Sequence, residues 1–259
     1  MLDNDCKVLQ QIDLGADYRT IDFQAPEIAD QALPGQFVHL RLPGLESSAL
    51  RRPFSIYGAK DGVLRILYKT IGRGTRSMNS LKAGDMVRIM GPIGKSFPCN
   101  PQSLPILVAG GYGVAPLVFL ASRLPQKGIV MIGGRTANDI LLQDDFKKMG
   151  WEVQIATQDG SLGEQGLVTI LLDRALEQLQ KENKKAELYS CGPDGLLHAV
   201  GDRAITYDLK GWLSLDKHMV CGIGACLACV QKLRKADGTE WIGRVCKDGP
   251  VFESREIVW

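Results

Sequence analysis

The stretch LPILVAGGYGVAPLVFLASRL, residues 104–124, decides how this chain is read. Leu104 to Gly110 form a nearly continuous apolar strand. The turn Gly110-Gly111-Tyr112-Gly113 follows, and then an apolar segment of helical length with Pro116 in its first turn, where a missing N–H is tolerated. Glycines between a buried strand and a helix let the backbone approach a pyrophosphate at the helix N-terminus. The same turn also serves plain close packing of helix on strand, and the motif alone leaves both readings open.

Toward the C-terminus the rhythm continues. GIVMIGGR and WEVQIAT read as strands, VTILLDRALEQL as a helix and ELYSCGP as a further strand, an alternation that implies a parallel sheet. Gly133-Gly134-Arg135 ends the second strand with no acidic residue for a ribose 2′-OH, so NAD and NADP both remain open. The turn Cys191-Gly192-Pro193-Asp194 places a small thiol at the C-terminal edge of this sheet, or is simply a strand-to-helix turn.

Toward the N-terminus, up to about Pro98, the segments QFVHLRL, VLRILYK and DMVRIMG alternate apolar and polar residues between Pro and Gly turns. That is the pattern of antiparallel β structure and predicts a small barrel. Within it Arg51-Arg52-Pro53-Phe54-Ser55 pairs cations that can meet a diphosphate with a hydroxyl. Alone, it would also suit a solvated strand edge.

The last fifty or so residues are rich in Cys and Gly and too few to fold well without a staple. Cys221, Cys226, Cys229 and Cys246 stand as C-x4-C-x2-C with a distal cysteine, the spacing of plant-type [2Fe-2S] sites. Two irons and two sulfides need four anionic, polarisable ligands, and Gly222 and Gly224 suit a loop whose amides approach the sulfurs. A structural zinc ion is the alternative, but zinc sites pair C-x2-C with a second pair, and here only Cys246 is distal. His218 precedes the loop and reads as an exposed or supporting residue, as do His39 and His198.

Composition narrows the classes. The chain has 259 residues, 45% of them hydrophobic, enough for two or three domains. Its 31 Lys and Arg nearly balance 29 Asp and Glu without like-charge blocks, which speaks against nucleic acid or an anionic membrane as partner. The start MLDNDCKVLQ has no basic n-region or apolar h-region, no stretch has the length of a membrane span, and the seven cysteines are distributed as for metal ligation. The expectation is a cytoplasmic protein.

The order of parts, RRPFS in a barrel, Gly74-Thr75 in the next loop, GGYGVAP after a parallel strand and then CGP, resembles the ferredoxin-NADP reductase superfamily from end to end. The tail CGIGACLAC…RVCKDGPVFESREIVW narrows this, for it resembles the electron-transfer subunits of the class B dihydroorotate dehydrogenases. The implied fold is multi-domain, β plus α/β: an antiparallel FAD-binding barrel over residues 1–100, a parallel-sheet NAD-binding domain over 101–210 and a [2Fe-2S] module over 211–259. The resemblance implies that Arg52, Pro53, Phe54 and Ser55, with Leu67, Tyr68, Lys69, Gly74 and Thr75, hold FAD. It further implies that Gly110, Gly111, Gly113, Pro116, Cys191, Gly192 and Pro193 line the nicotinamide site, and that the four cysteines ligate the cluster.

Nicotinamide exchanges two electrons as hydride and the cluster takes one, so a flavin must stand between them. No segment remains for an organic substrate pocket, and no general acid or base is called for in this chain. By resemblance, an FMN-containing catalytic subunit oxidises dihydroorotate in pyrimidine biosynthesis, in a heterotetramer of two of each, and this chain passes the electrons to NAD. A reductase subunit of a sulfide dehydrogenase or of an electron-bifurcating oxidoreductase is the nearest alternative. A zinc-stapled nucleotide-binding module without turnover is the alternative from another class.

Overall fold

The computed structural model describes residues 1–42 and 50–259. The strands β1 (Leu2–Gly15), β2 (Tyr18–Gln24), β3 (Phe37–Arg41), β4 (Arg52–Lys60), β5 (Val63–Lys69) and β6 (Met86–Ile93) close into a barrel in the order β1-β2-β5-β4-β3-β6. Alternation drives the closure: Ile21 and Phe23, Val38 and Leu40, Leu64, Ile66 and Tyr68, and Val87 and Ile89 all point inward and are buried together. Two short helices, α1 (Pro26–Gln31) and α2 (Arg73–Met78), pack Ile28 and Met78 into the same core.

A second sheet begins at β7 (Leu104–Gly110) and continues through α3 (Val114–Arg123), β8 (Ile129–Gly134), α4 (Gln143–Lys148), β9 (Glu152–Thr157) and β10 (Glu164–Gln165). It returns through α5 (Thr169–Glu182), β11 (Ala186–Cys191), α6 (Asp194–Thr206) and β12 (Lys210–Ser214). The strand order β10-β9-β8-β7-β11-β12 is parallel throughout and reverses direction of growth between β7 and β11. That reversal opens a crevice at the carboxyl ends of the two strands, the usual ligand position in such sheets.

The remaining residues form a hairpin, β13 (Val230–Arg234) and β14 (Glu240–Arg244), a single helical turn α7 (Val245–Asp248) and β15 (Val251–Glu253). The C-terminal segment is not confined to a module of its own, because β15 pairs antiparallel with β12 and becomes the seventh strand of the sheet. The sequence boundary near residue 210 therefore falls at the first residue of a sheet strand. The reason is local: KGWLS and VFE are too short to display a period beside a Cys- and Gly-rich run.

The barrel and the sheet share an interface. Helix α3 is apolar on nearly every side, with eight buried residues, because it lies between the sheet and barrel strand β4. Its Phe119 enters the barrel core, where a fully buried side chain of this size contributes about 1.5–3 kcal/mol. Around it, Tyr18 donates to Asp139, Tyr57 donates to Asp145, and Arg123 donates to the Ala59 carbonyl. The barrel also meets the C-terminal segment, where Lys95 N–H donates to the Gly249 carbonyl at 2.6 Å.

Candidate functional site

The first group of candidate residues lies at an opening of the barrel. Strands β4 and β5 are paired only between Ile56–Ile66 and Lys60–Val63. Beyond that point Arg52 to Ser55 follow β3, and Leu67 to Lys69 follow β2, so the two segments diverge from one edge. Arg52, Pro53, Phe54 and Ser55 are all half-buried. Arg51 is committed to Asp3 through two hydrogen bonds of 2.9 Å. Arg52 instead donates to the carbonyls of Leu50 and Arg51 and, among the described residues, meets no carboxylate.

Gly74 is brought to Arg52 although 22 positions separate them: a Cβ on Gly74 would stand 3.1 Å from Arg52 Nε. The Thr75 hydroxyl accepts from the N–H groups of Ile71 and Gly72 and closes the turn that presents Gly74. A half-buried cation without an acidic partner among the described residues, beside a glycine that keeps the approach clear, fits the diphosphate of FAD. Tyr68 turns into the barrel, its ring edge-on to Phe54 and its hydroxyl on Asn79. Alternation turns Leu67 and Lys69 the other way, toward the sheet, where Lys69 donates to the Tyr18 hydroxyl at 3.0 Å.

The second group sits at the crevice between β7 and β11. A Cβ on Gly113 would lie 2.4 Å from the Cys191 carbonyl oxygen, and one on Gly110 would lie 2.9 Å from Pro193 Cδ. One on Gly192 would lie 3.1 Å from Gly110 N. The two turns thus touch backbone to backbone, and only glycine permits it. Gly111, at φ +55°, turns the chain over toward Tyr18, and Pro116 is buried in the first turn of α3. The Cys191 thiol is buried beside this crevice; burial, with Asp216 nearby, pushes it up to about 12 against donation from Ser214 and Gly192. It is a small, uncharged wall at neutral pH. The fit is to a nucleotide phosphate over glycine backbone with a nicotinamide beside a thiol.

The third group is the cysteine loop. The register Val230↔Arg244 in the β13–β14 hairpin sets Cys229 just before one strand and Cys246 just after the other, so the distal cysteine is delivered to the loop. Cys246 N–H donates to Cys229 Sγ at 3.4 Å, and Ile223 and Ala225 N–H groups donate to Cys221 Sγ at 3.5 and 3.3 Å. Backbone N–H groups thus converge on the sulfurs of Cys221 and Cys229, and Cys246 is held against Cys229 by its own N–H. Among the described residues no three His, Cys, Asp or Glu side chains gather about one point. The C-x4-C-x2-C spacing with a distal cysteine, and N–H groups that donate to the cysteine sulfurs, suit a [2Fe-2S] cluster. Burial and the neighbouring Cys229 push the Cys246 thiol up to about 12. Burial also opposes ionisation of Cys221, but the N–H groups of Ile223, Cys226 and Ala225 outweigh it and bring that thiol down to about 6.

Sequence reasoning missed the contact of Tyr18 with Asp139. Tyr18 and Asp139 are 121 positions apart and carry no local signal. Trp259 lies edge-on to His198.

A closed antiparallel barrel, a parallel sheet with two glycine turns at its switch point and a four-cysteine loop define a class: flavin- and nicotinamide-linked reductases with an appended iron–sulfur module. Comparison with known proteins agrees. Residues 5–97 match the oxidoreductase FAD-binding domain, 107–202 the oxidoreductase NAD-binding domain, and 216–258 the iron-sulfur cluster binding domain of dihydroorotate dehydrogenase B. The dihydroorotate dehydrogenase B (NAD(+)) electron transfer subunit of Desulforamulus reducens is 39% identical over 261 residues, covering 98% of each chain. That of Fusobacterium nucleatum is 35% identical, covering 98% of this chain and 97% of its own. The chain belongs to the family of dihydroorotate dehydrogenase B electron transfer subunits.

Among solved structures, the NADH-dependent reduced ferredoxin-NADP oxidoreductase of flavin-based electron bifurcation superposes with a TM-score of 0.84 at 27% identity. It covers 98% of this chain and 90% of its own. A ferredoxin reductase of carbazole 1,9a-dioxygenase shares the fold over 80% of this chain, with a TM-score of 0.67 and 21% identity. The chain is an oxidoreductase subunit that binds FAD, NAD and an iron–sulfur cluster. No helix among the described residues is long and apolar enough to cross a membrane.

Proposed function

We propose that this chain carries electrons between a dihydroorotate-oxidising catalytic subunit and NAD, within de novo pyrimidine biosynthesis. When bound, the cofactors supply two-electron exchange with nicotinamide at the flavin and one-electron exchange at a [2Fe-2S] cluster. The chain's own residues bind and orient. Residues 1–100 hold FAD, with Arg52 on the diphosphate and Gly74 and Thr75 shaping its approach; Pro53, Phe54, Ser55 and Leu67 to Lys69 line the barrel opening. Residues 101–210 hold the nicotinamide nucleotide over Gly110, Gly111 and Gly113, with Pro116 starting the helix beneath and Cys191, Gly192 and Pro193 beside the ring. Residues 211–259 hold the cluster through Cys221, Cys226, Cys229 and Cys246 and lend β15 to the sheet.

The observation that carries this reading is a cysteine loop packed on the flavin barrel, to which the β13–β14 hairpin delivers Cys246, in a chain whose relatives at 35–39% identity are dihydroorotate dehydrogenase B electron transfer subunits. The catalytic partner, an FMN-containing subunit in a heterotetramer of two of each, is supported by a face of the loop and hairpin. There Val220, Ile223, Leu227, Val230 and Ile242 are each 40–60% exposed. Apolar exposure of this extent marks an interaction surface. The cytoplasm, where dihydroorotate and NAD meet, is the proposed location.

The test is anaerobic. The chain is isolated with its co-purifying subunit, dihydroorotate and NAD are added, and NADH absorbance is followed. Steady NADH formation that stops when the co-purifying subunit is removed supports the reading. No NADH, from a preparation whose flavin and cluster still bleach with added NADH, assigns the chain to a different partner.

A further inference from the structure

His39 is wholly buried, at 0% exposure, and neither of its ring nitrogens has a hydrogen-bond partner among the described residues. A neutral imidazole carries one N–H donor and one acceptor lone pair. Leaving such a group orphaned costs stability, so a buried orphan calls for a partner.

Its position says which partner. Along β3, Val38 and Leu40 face the barrel core, so Phe37 and His39 stand on the outer face. On a bare barrel that face would meet water. Here the cysteine loop covers it: a Cβ on Gly222 would lie 2.7 Å from His39 Cε1, 2.8 Å from Nδ1 and 3.1 Å from Nε2. No side chain could stand between the ring and the loop that follows Cys221. Phe37, at 5.6 Å between ring centroids, flanks the imidazole, and Pro53 of the candidate flavin motif is its partner across the β3–β4 ladder.

We propose that His39 is a positioning residue for the bound iron–sulfur cluster, its unpartnered ring N–H held under the Cys221–Cys226 loop for a sulfur of that cluster. The proposal rests on the reading that these cysteines ligate the cluster. Burial, and then the charge of Arg51, brings the imidazole down to about 4. An N–H donated to sulfur favours the more negative, reduced cluster and raises its reduction potential. Because the same residue is laddered to Pro53, it also ties the cluster loop to the flavin strand.

The test uses the anaerobically purified holoprotein with isotope-labelled histidine nitrogen. Pulsed EPR of the reduced cluster is expected to show a histidine nitrogen coupling that disappears in His39→Phe, which keeps the ring packing. An EPR-monitored titration of His39→Phe is expected to show the cluster potential shifted downward with the FAD potential unchanged, and His39→Gln, which retains an N–H, to restore it toward the original. A reduced cluster without histidine nitrogen coupling in the unsubstituted protein overturns the proposal even if a variant fails to fold, and so does an unshifted potential in His39→Phe. Absence of any cluster signal is a separate result, which overturns the cysteine assignment and this proposal with it.

Discussion

The hydroxyl of Tyr18, on barrel strand β2, donates to Asp139 Oδ1 of the sheet domain at 2.8 Å, and Lys69 donates to the same hydroxyl at 3.0 Å. These contacts join the barrel, at the candidate flavin residue Lys69, to the sheet domain, with Gly111 beside the Tyr18 hydroxyl. Burial alone would raise the Asp139 carboxyl, but the Tyr18 hydroxyl, the Thr136 and Arg135 N–H groups and Lys69 together hold it below the usual range. A carboxyl lowered in the folded state adds stability that is complete above the unfolded carboxylate range and is lost as pH falls through the folded value. Asp139→Asn is therefore expected to flatten the acid limb of thermal stability, read as melting temperature against pH. A variant whose acid limb matches the parent would show that this carboxylate does not hold the domains.

Arg52→Ala removes the cation placed beside Gly74. FAD retention should weaken by about 1.5–3 kcal/mol, the range for a charged hydrogen bond, or roughly 10- to 150-fold in Kd. Flavin fluorescence released on dilution measures it. Arg51→Ala, which breaks only the pair with Asp3, should leave FAD occupancy near that of the parent.

Gly113→Ala would drive a methyl to 2.4 Å from the Cys191 carbonyl, an atom of rigid backbone. The two nucleotide turns must separate, at a cost of about 1–3 kcal/mol by analogy with overpacked cores. Bleaching of the flavin by NADH should slow sharply while FAD stays bound. Unchanged stopped-flow kinetics would remove Gly113 from the nicotinamide site.

Cys226→Ser should abolish or destabilise the cluster and leave FAD reducible by NADH. Cys226 is exposed, so the loss would not come from a damaged core. Visible circular dichroism and iron content report it, and an intact cluster spectrum would remove Cys226 from the ligand set.

Leu227 and Ile242, 60% and 59% exposed, stand on the face proposed for the catalytic subunit. Leu227→Asp with Ile242→Asp should prevent co-purification of that subunit without altering NADH-driven bleaching of this chain. Size-exclusion chromatography of co-expressed chains decides it, and retention of the complex would place the partner elsewhere.

Much of the architecture was legible. Period-2 alternation in QFVHLRL and VLRILYK marked barrel strands, and LPILVAG entering a glycine turn marked the sheet. The strand VFE was not legible, because three residues next to a cysteine loop show no period, and its pairing with β12 depends on the C-terminal segment folding back. The outward position of His39 was present in the alternation of FVHLR, but not what covers it.

The sequence by itself determined the chemistry available: which residues can ligate iron, which glycines admit a phosphate, and which cations can meet a diphosphate. Residue type and short-range spacing are local properties of the chain. Only the tertiary structure decided which of two adjacent arginines is paired with Asp3, that Tyr18 meets Asp139, and that His39 lies under Gly222 with no hydrogen-bond partner among the described residues. Such relationships arise when separate layers dock, and docking is set by the shapes of whole surfaces rather than by neighbours along the chain.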